Sequence, residues 1–168
     1  MLAGQLRAGL LIGLVSVLAI LPASAKYASI VVDARDVRVL HATNPDTRNY
    51  PASLTKIMTL YMVFEALDNG TLQLDRQLPV SARAAGQAPS KLGLEAGDTI
   101  SVRDAIRALV TKSANDIATV VAEALGGTET NFAGMMTARA RAIGMGNTTF
   151  RNASGLPNRR QLSTARDM

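Results

Sequence analysis

The chain has 168 residues and a formal charge of +5, with 18 Lys and Arg against 13 Asp and Glu, no cysteine and one histidine. Without cysteine there is neither a disulfide framework nor a thiol nucleophile, and a Ser-His-Asp triad or a zinc cluster would have to form around His41 alone. The basic residues are scattered among acids rather than gathered in a stripe, which argues against nucleic acid as a partner and for a mild attraction to an acidic polymer or membrane surface.

The first stretch, MLAGQLRAGLLIGLVSVLAILPASA, has a lone positive charge at Arg7, an apolar run from Ala8 to Leu21, and small residues at Ala23 and Ala25. It is built like a secretory signal cleaved after Ala25, which predicts export to the periplasm or the outer face of the cytoplasmic membrane. An uncleaved N-terminal anchor is the competing reading, although the run is shorter than the roughly 20 residues of a membrane span. Residues 26–168 make one modest domain. From Tyr27, the β-branched run Ile30-Val31-Val32 and the spacing of Val37 and Val39 predict two short strands turning near Ala34-Arg35-Asp36. PDTRNYPAS is turn chemistry. Ser53 opens the helix LTKIMTLYMVFEALDNG, which Asn69-Gly70 ends. Apolar residues lie on nearly every face of it, predicting a central helix buried on most sides. Thr71 to Asp98 offers one short strand around Leu78 and Val80 and otherwise reads as exposed loop. SVRDAIRALV is a helix with Ser101 and Asp104 in capping-box spacing. TKSAND interrupts it, and DIATVVAEALGG restarts a helix that Gly126-Gly127 stops. A further helix runs from Glu129 to Ile143, stopped by Gly144, and NTTF is a short extended piece. Ser163 takes the place of an N-cap, with TARDM as the first turn of a helix in which the chain ends. Helix nucleation is costly and is offset only by propagation, so this ending predicts a fragment. One hairpin and two short extended pieces are also too little sheet for a closed core. The expected fold is mixed α/β: a helical cluster packed on an antiparallel sheet that lacks its C-terminal strands.

Chemistry concentrates in YPASLTKIMT and TKSAND. Ser53 and Lys56 are three positions apart, so on a helix they share one side and hydroxyl can meet amine. A serine hydroxyl is a poor nucleophile until something takes its proton. Lysine can do so only when neutral, and burial in apolar surroundings favours that form. The helix N-terminus adds backbone N–H groups near the reacting oxygen. The alternative is that Ser53 caps the helix and Lys56 snorkels from its first turn. In the break between the next two helices, Ser113 could pass a proton to a leaving amine and Asn115 could donate its amide to a substrate backbone. Here the alternative is a plain N-cap. Asp116 reads as compensation of the helix dipole rather than a catalytic acid. His41 reads as an edge residue, Arg48, Arg139 and Arg141 as solvated charges, and Met58, Met62, Met135 and Met136 as core filling.

Ser53-x-x-Lys56 followed by Ser113-x-Asn115 resembles the motif set of penicillin-binding proteins and serine β-lactamases. Within that superfamily, PASLTKIMT, GDTISVRDAIRALVTKSANDIA, GMGNTTFRNASGLP and STARDM look like the low-molecular-mass D-alanyl-D-alanine carboxypeptidases, over Tyr27 to Met168. The resemblance implies a β-lactamase/transpeptidase-like fold, incomplete here. It implies Ser53 as the acyl-forming nucleophile, Lys56 as its general base, Ser113 as the proton relay to the leaving D-alanine, and Asn115 as the group that binds the substrate backbone. The implied substrate is a peptidoglycan stem pentapeptide ending in D-alanyl-D-alanine, processed through a Ser53 ester with no cofactor and no metal. β-Lactam antibiotics would acylate the same serine, and a C-terminal segment beyond Met168 would associate peripherally with the membrane. The family's third motif, Lys-Thr-Gly on a later strand, does not occur in the chain, in keeping with the expected fragment. Pro89, Ser90 and Lys91 fall where the family has a pocket-rim loop, with a plain solvated loop as the alternative. Asn152 and Gly155 match its turn before Leu156-Pro157 and read as structural. Val37 stands where relatives commonly have glycine in the hairpin turn, and Thr137 where they often have asparagine. Two other functions stay open. A class A β-lactamase deacylates with a glutamate in a later loop, whereas beyond Ser113 this chain has only Glu123 and Glu129, both in predicted helices. The other is a catalytically dead, truncated muropeptide-binding remnant.

Overall fold

The computed structural model of the protein describes residues 27–168; the signal read over residues 1–25 lies outside the described residues. Strand β1 (Ser29–Val32) pairs antiparallel with β2 (Val39–Thr43), in a register running from Ser29 opposite Thr43 to Val32 opposite Val39. The turn between them closes through the Val37 N–H on the Asp33 carbonyl and the Asp33 N–H on the Arg38 carbonyl, both 2.8 Å. Val37 there adopts φ +58°, the left-handed conformation that glycine tolerates and a β-branched residue resists. Glycine would take that backbone without strain. His41 is exposed in β2, its ring 3.1 Å from the Thr43 hydroxyl.

A 3-10 turn, Ala52–Leu54, leads into α1 (Thr55–Asp68), which ends at Asn69 with Gly70 at φ +75°. Strand β3 (Gln77–Pro79) pairs antiparallel with β4 (Thr99–Ser101), and the short helix α2 (Ala82–Ala85) lies between them in sequence. Neither α2 nor β4 was expected from the sequence. α2 is one turn long, capped by the Ser81 hydroxyl accepting the Ala84 N–H at 3.0 Å, and β4 runs directly into the cap of the following helix. That helix, α3 (Val102–Thr111), is capped as expected, with the Ser101 hydroxyl accepting the Asp104 N–H at 3.1 Å. Helices α4 (Asn115–Gly126) and α5 (Glu129–Ala142) follow. Gly126 allows their close approach, since a Cβ there would lie 2.7 Å from the Phe132 Cβ.

The central helix is α4, not α1. Its Ile117, Ala118, Val120 and Ala122 are fully buried, and it packs against α1, α2, α3, α5 and β3. Full burial of side chains the size of Ile117 or Phe132 contributes about 1.5–3 kcal/mol each. α1 buries Met58, Val63 and Ala66 but exposes Ile57, Tyr61 and Phe64 along one face, which Leu54 of the preceding turn extends. The expectation of burial on most sides fails because the two small sheets leave no described layer over that face. At the C-terminal end, Ser163 pairs with Asn49 in an antiparallel bridge, and its hydroxyl is 2.8 Å from that of Thr148. The final turn is instead capped by Thr164, which accepts the Asp167 N–H on its hydroxyl and the Met168 N–H on its carbonyl, both at 3.1 Å. With its backbone committed to the bridge and its hydroxyl to Thr148, Ser163 does not cap the turn that follows.

Candidate active site

Ser53 sits exposed in the 3-10 turn before α1. No side chain caps either the 3-10 turn or α1, so Ser53 does not act as the cap that the alternative reading required. The preceding residue, Ala52, has φ +46°, and Ser113, in the break between α3 and α4, has φ +55°. Non-glycine residues held in that region carry strain of about 1–3 kcal/mol and concentrate at functional sites. Ser53, Ser113 and Asn115 line one groove of about 350 Å³, with Pro89 and Ser90 on one rim and Ser154 to Pro157 on the other. All three groove residues singled out in the sequence therefore come together. A second, more apolar hollow of about 550 Å³ adjoins the groove, sharing Ala52, Gly155, Leu156 and Pro157 and extending to Tyr50 and Arg159.

Lys56 lies behind this groove, 3% exposed. Its amine donates to the Asn115 Oδ1 at 2.8 Å and to the Ser154 carbonyl at 2.6 Å. Both acceptors line the groove, so the lysine is buried from bulk water yet faces the reactive wall. Burial disfavours the ammonium form and pulls the pKa down to about 8. Lys56 is thus held in place rather than snorkelling. Asn115 is itself fixed: its Nδ2 donates to the Ala88 carbonyl at 2.9 Å and its backbone N–H to the Ser90 carbonyl at 2.8 Å. This leaves one of its two amide hydrogens for another acceptor. Among the described residues, no cluster of three His, Asp or Glu could hold a metal ion.

The Ser154 carbonyl is a member of the site that sequence reasoning missed, because a backbone acceptor leaves no side-chain signature. The turn that carries it is tightly held. Gln161 Oε1 accepts the Arg151 and Asn152 N–H groups at 2.8 and 3.0 Å, and Asn152 Oδ1 accepts the Gly155 N–H at 2.8 Å. The Thr59 hydroxyl donates to the Ala153 carbonyl at 2.8 Å, and Glu129 accepts the Ala153 N–H at 3.3 Å while paired with Arg83. Gly155 has φ +90°, and a Cβ there would lie 1.8 Å from the Ala52 carbonyl oxygen. Only glycine lets this turn press against the backbone that presents Ser53. The sequence signal was the Asn152-x-x-Gly155 spacing, which marks a turn but not what the turn touches.

Helices gathered beside short antiparallel strands, with a buried lysine behind a serine-lined groove, place this architecture among the penicillin-binding and β-lactamase-like transpeptidase folds. The solved D-alanyl-D-alanine carboxypeptidase DacD from Francisella tularensis superposes with a TM-score of 0.81 at 41% identity, over 83% of this chain and 34% of that one. Penicillin-binding protein D2 from Listeria monocytogenes, in its ampicillin-bound form, gives 0.68 at 35% identity, over 83% and 57%. In sequence, D-alanyl-D-alanine carboxypeptidase DacF of Bacillus subtilis is 36% identical over 141 residues, 83% of this chain and 36% of that protein. The family model described as D-alanyl-D-alanine carboxypeptidase matches residues 19–168, and the chain belongs to that family. It spans about a third of the length of that curated relative. No helix among the described residues is long and apolar enough to cross a membrane.

Proposed function

We propose that the chain carries the acylation machinery of a serine-type D-Ala-D-Ala carboxypeptidase acting on peptidoglycan stem pentapeptides. Neutral Lys56 takes the Ser53 hydroxyl proton as Oγ bonds to the carbonyl carbon of the penultimate D-alanine. The C–N bond then breaks, and the proton passes through Ser113 to the amine of the departing D-alanine. Asn115 holds the substrate backbone with its remaining amide hydrogen. Water hydrolyses the ester, returning Ser53 and releasing the shortened peptide. Export to the periplasm or the outer face of the cytoplasmic membrane belongs to the same reading, as does acylation by β-lactams in place of the peptide.

The observation that carries the proposal is the setting of Lys56: buried, bonded to two groove-lining acceptors, with its pKa lowered to about 8. A structural helix lysine gains nothing from such burial, whereas a general base working near neutral pH requires it. The carboxypeptidase names of the relatives and the ampicillin-bound state of the Listeria protein support the substrate class and the inhibitor class.

The test is intact mass after incubation with benzylpenicillin, with Ser53→Ala alongside. The expected result is one penicilloyl adduct per chain, absent from the variant. An adduct that forms and then clears with accumulating hydrolysed penicillin would point to a β-lactamase instead. An unchanged mass would mean that this chain has no working acylation site and would leave it a binding remnant.

A further inference from the structure

Asp116 is completely buried, and the proposed chemistry makes no use of it. Its carboxylate accepts three backbone N–H groups: Leu92 at 3.0 Å, Gly93 at 2.8 Å, and Ile117 at 2.9 Å in its own helix. Only the last belongs to dipole compensation at the start of α4. The other two come from the exposed rim segment 88–93, about two dozen residues earlier in the chain, which has no regular secondary structure to hold it. The same segment supplies the Ala88 and Ser90 carbonyls that fix the Asn115 side chain and backbone, and Asn115 Oδ1 in turn accepts the Lys56 amine. Each link is a hydrogen bond of 2.8–3.0 Å. A buried carboxylate that accepts two backbone N–H groups of a loop straps that loop to its own helix, because hydrogen bonds to an ionised group are the stronger ones.

We propose that Asp116 is a positioning residue for the reactive lysine: it ties the rim segment to α4, the rim segment orients Asn115, and Asn115 holds the Lys56 amine against the groove. The catalytic consequence rests on the roles proposed for Ser53 and Lys56; the mechanical coupling does not. Asp116 holds the Leu92–Gly93 end of the segment, and other contacts hold its middle. The Ser90 hydroxyl donates to the Lys112 carbonyl at 3.0 Å, and Lys91, the charged residue of the segment, donates to the Ala85 carbonyl at 2.9 Å. The amine of Lys56 is bonded to Asn115 and Ser154, with no charged side chain among those partners.

The test is Asp116→Asn, which keeps the shape of the side chain but sets an NH2 group against backbone donors. Amide exchange followed by NMR reads the coupling without any catalysis. Exchange should accelerate at Leu92 and Gly93 and also at Asn115, whose N–H is held by the Ser90 carbonyl, while α5 stays unchanged. Acceleration confined to Leu92 and Gly93 would overturn the proposal and leave Asp116 a local cap. In the second arm, acylation by benzylpenicillin should slow by about tenfold or more, with its pH midpoint moving upward as Lys56 becomes better solvated. A loss of mere stability would not move that midpoint. An unchanged rate and midpoint in a variant of an acylating parent would overturn the proposal. Failure of the parent chain to acylate would count against the proposed function, and the exchange arm would still decide the coupling. Should Asp116→Asn fail to fold, Asp116→Glu keeps the charge but moves the carboxylate away from the Leu92 and Gly93 N–H groups, and it is read by the same Asn115 exchange and midpoint.

Discussion

A lysine ammonium carries three N–H groups and a neutral lysine two, and Lys56 has two acceptors in place, the Asn115 Oδ1 and the Ser154 carbonyl. The neutral amine satisfies both with its hydrogens and keeps its lone pair for a third direction; the ammonium must place an extra charged donor in a buried site. The geometry and the burial that lowers the pKa to about 8 therefore push in the same direction, toward a larger neutral fraction, which becomes the major form above about pH 8. If neutral Lys56 accepts the Ser53 proton, the acylation rate follows the neutral fraction. The rate with benzylpenicillin should rise about tenfold per pH unit below 8 and flatten above it. A pH profile flat from 6 to 9, or one falling as pH rises, would remove Lys56 from the role of base. Much of this residue-scale picture was legible in the sequence. The spacing marked Ser53 and Lys56 as a pair, although Ser53 lies exposed in the 3-10 turn before α1 while Lys56 is buried within α1 on Asn115 and Ser154, and the break at TKSAND brought Ser113 and Asn115 to the same groove. What was not legible was backbone: the carbonyls of Ser154, Ala88 and Ser90, and the peptide of Ala52 pressed against Gly155. Any residue type presents a carbonyl, so only the fold can say which one is used.

At the scale of elements, the patterns with physical length behind them were readable. The hairpin, α1, α3, α4 and α5 each show a period, a cap or a glycine stop. The one-turn α2 and the three-residue β4 are too short to establish a period, and tertiary contacts rather than local preference define them. Thr137 has a plain structural use: its hydroxyl donates to the Ala133 carbonyl and accepts the Phe150 N–H, both at 2.9 Å, joining α5 to the chain that follows it. The hairpin turn gives a sharper case. Val37 is exposed and held at φ +58°, so its side chain contributes no burial to offset the strain of a left-handed β-branched residue. Replacing it with glycine removes a steric cost of about 1–2 kcal/mol but adds about 0.4–1 kcal/mol of unfolded-chain entropy. The net expectation for Val37→Gly is a hairpin more stable by about 0.5–1 kcal/mol. The strands of the hairpin pack chiefly on one another, so the proper readout is amide exchange along the β1–β2 ladder rather than global melting. Exchange there should slow by a few-fold, and equal or faster exchange would show that Val37 is not strained.

At the scale of the whole fold, the decisive feature is that, among the described residues, α4 is enclosed while α1 is enclosed on one side only. The buried side of α1 carries Lys56, Thr59 and Val63 toward the site and the core; the other carries Ile57, Tyr61 and Phe64 to solvent, with Leu54 of the preceding turn in line with them. Those four positions are three or four residues apart, so they form one continuous stripe along the helix rather than scattered apolar residues. A stripe of this kind costs the isolated chain nothing in packing, but it is a ready surface for association, because covering it with any second apolar surface removes area from water at about 25 cal/mol per Å². The chain is therefore expected to self-associate as its concentration rises. The paired change Ile57→Gln with Phe64→Gln should suppress that association in sedimentation experiments while shifting folding stability by no more than about 0.5 kcal/mol, the usual range for exposed positions. A loss nearer to 2–5 kcal/mol is the signature of emptying a packed core. That result would mean that α1 is covered on both sides in solution, and the distinction between α4 as the enclosed helix and α1 as a half-covered one would fall with it.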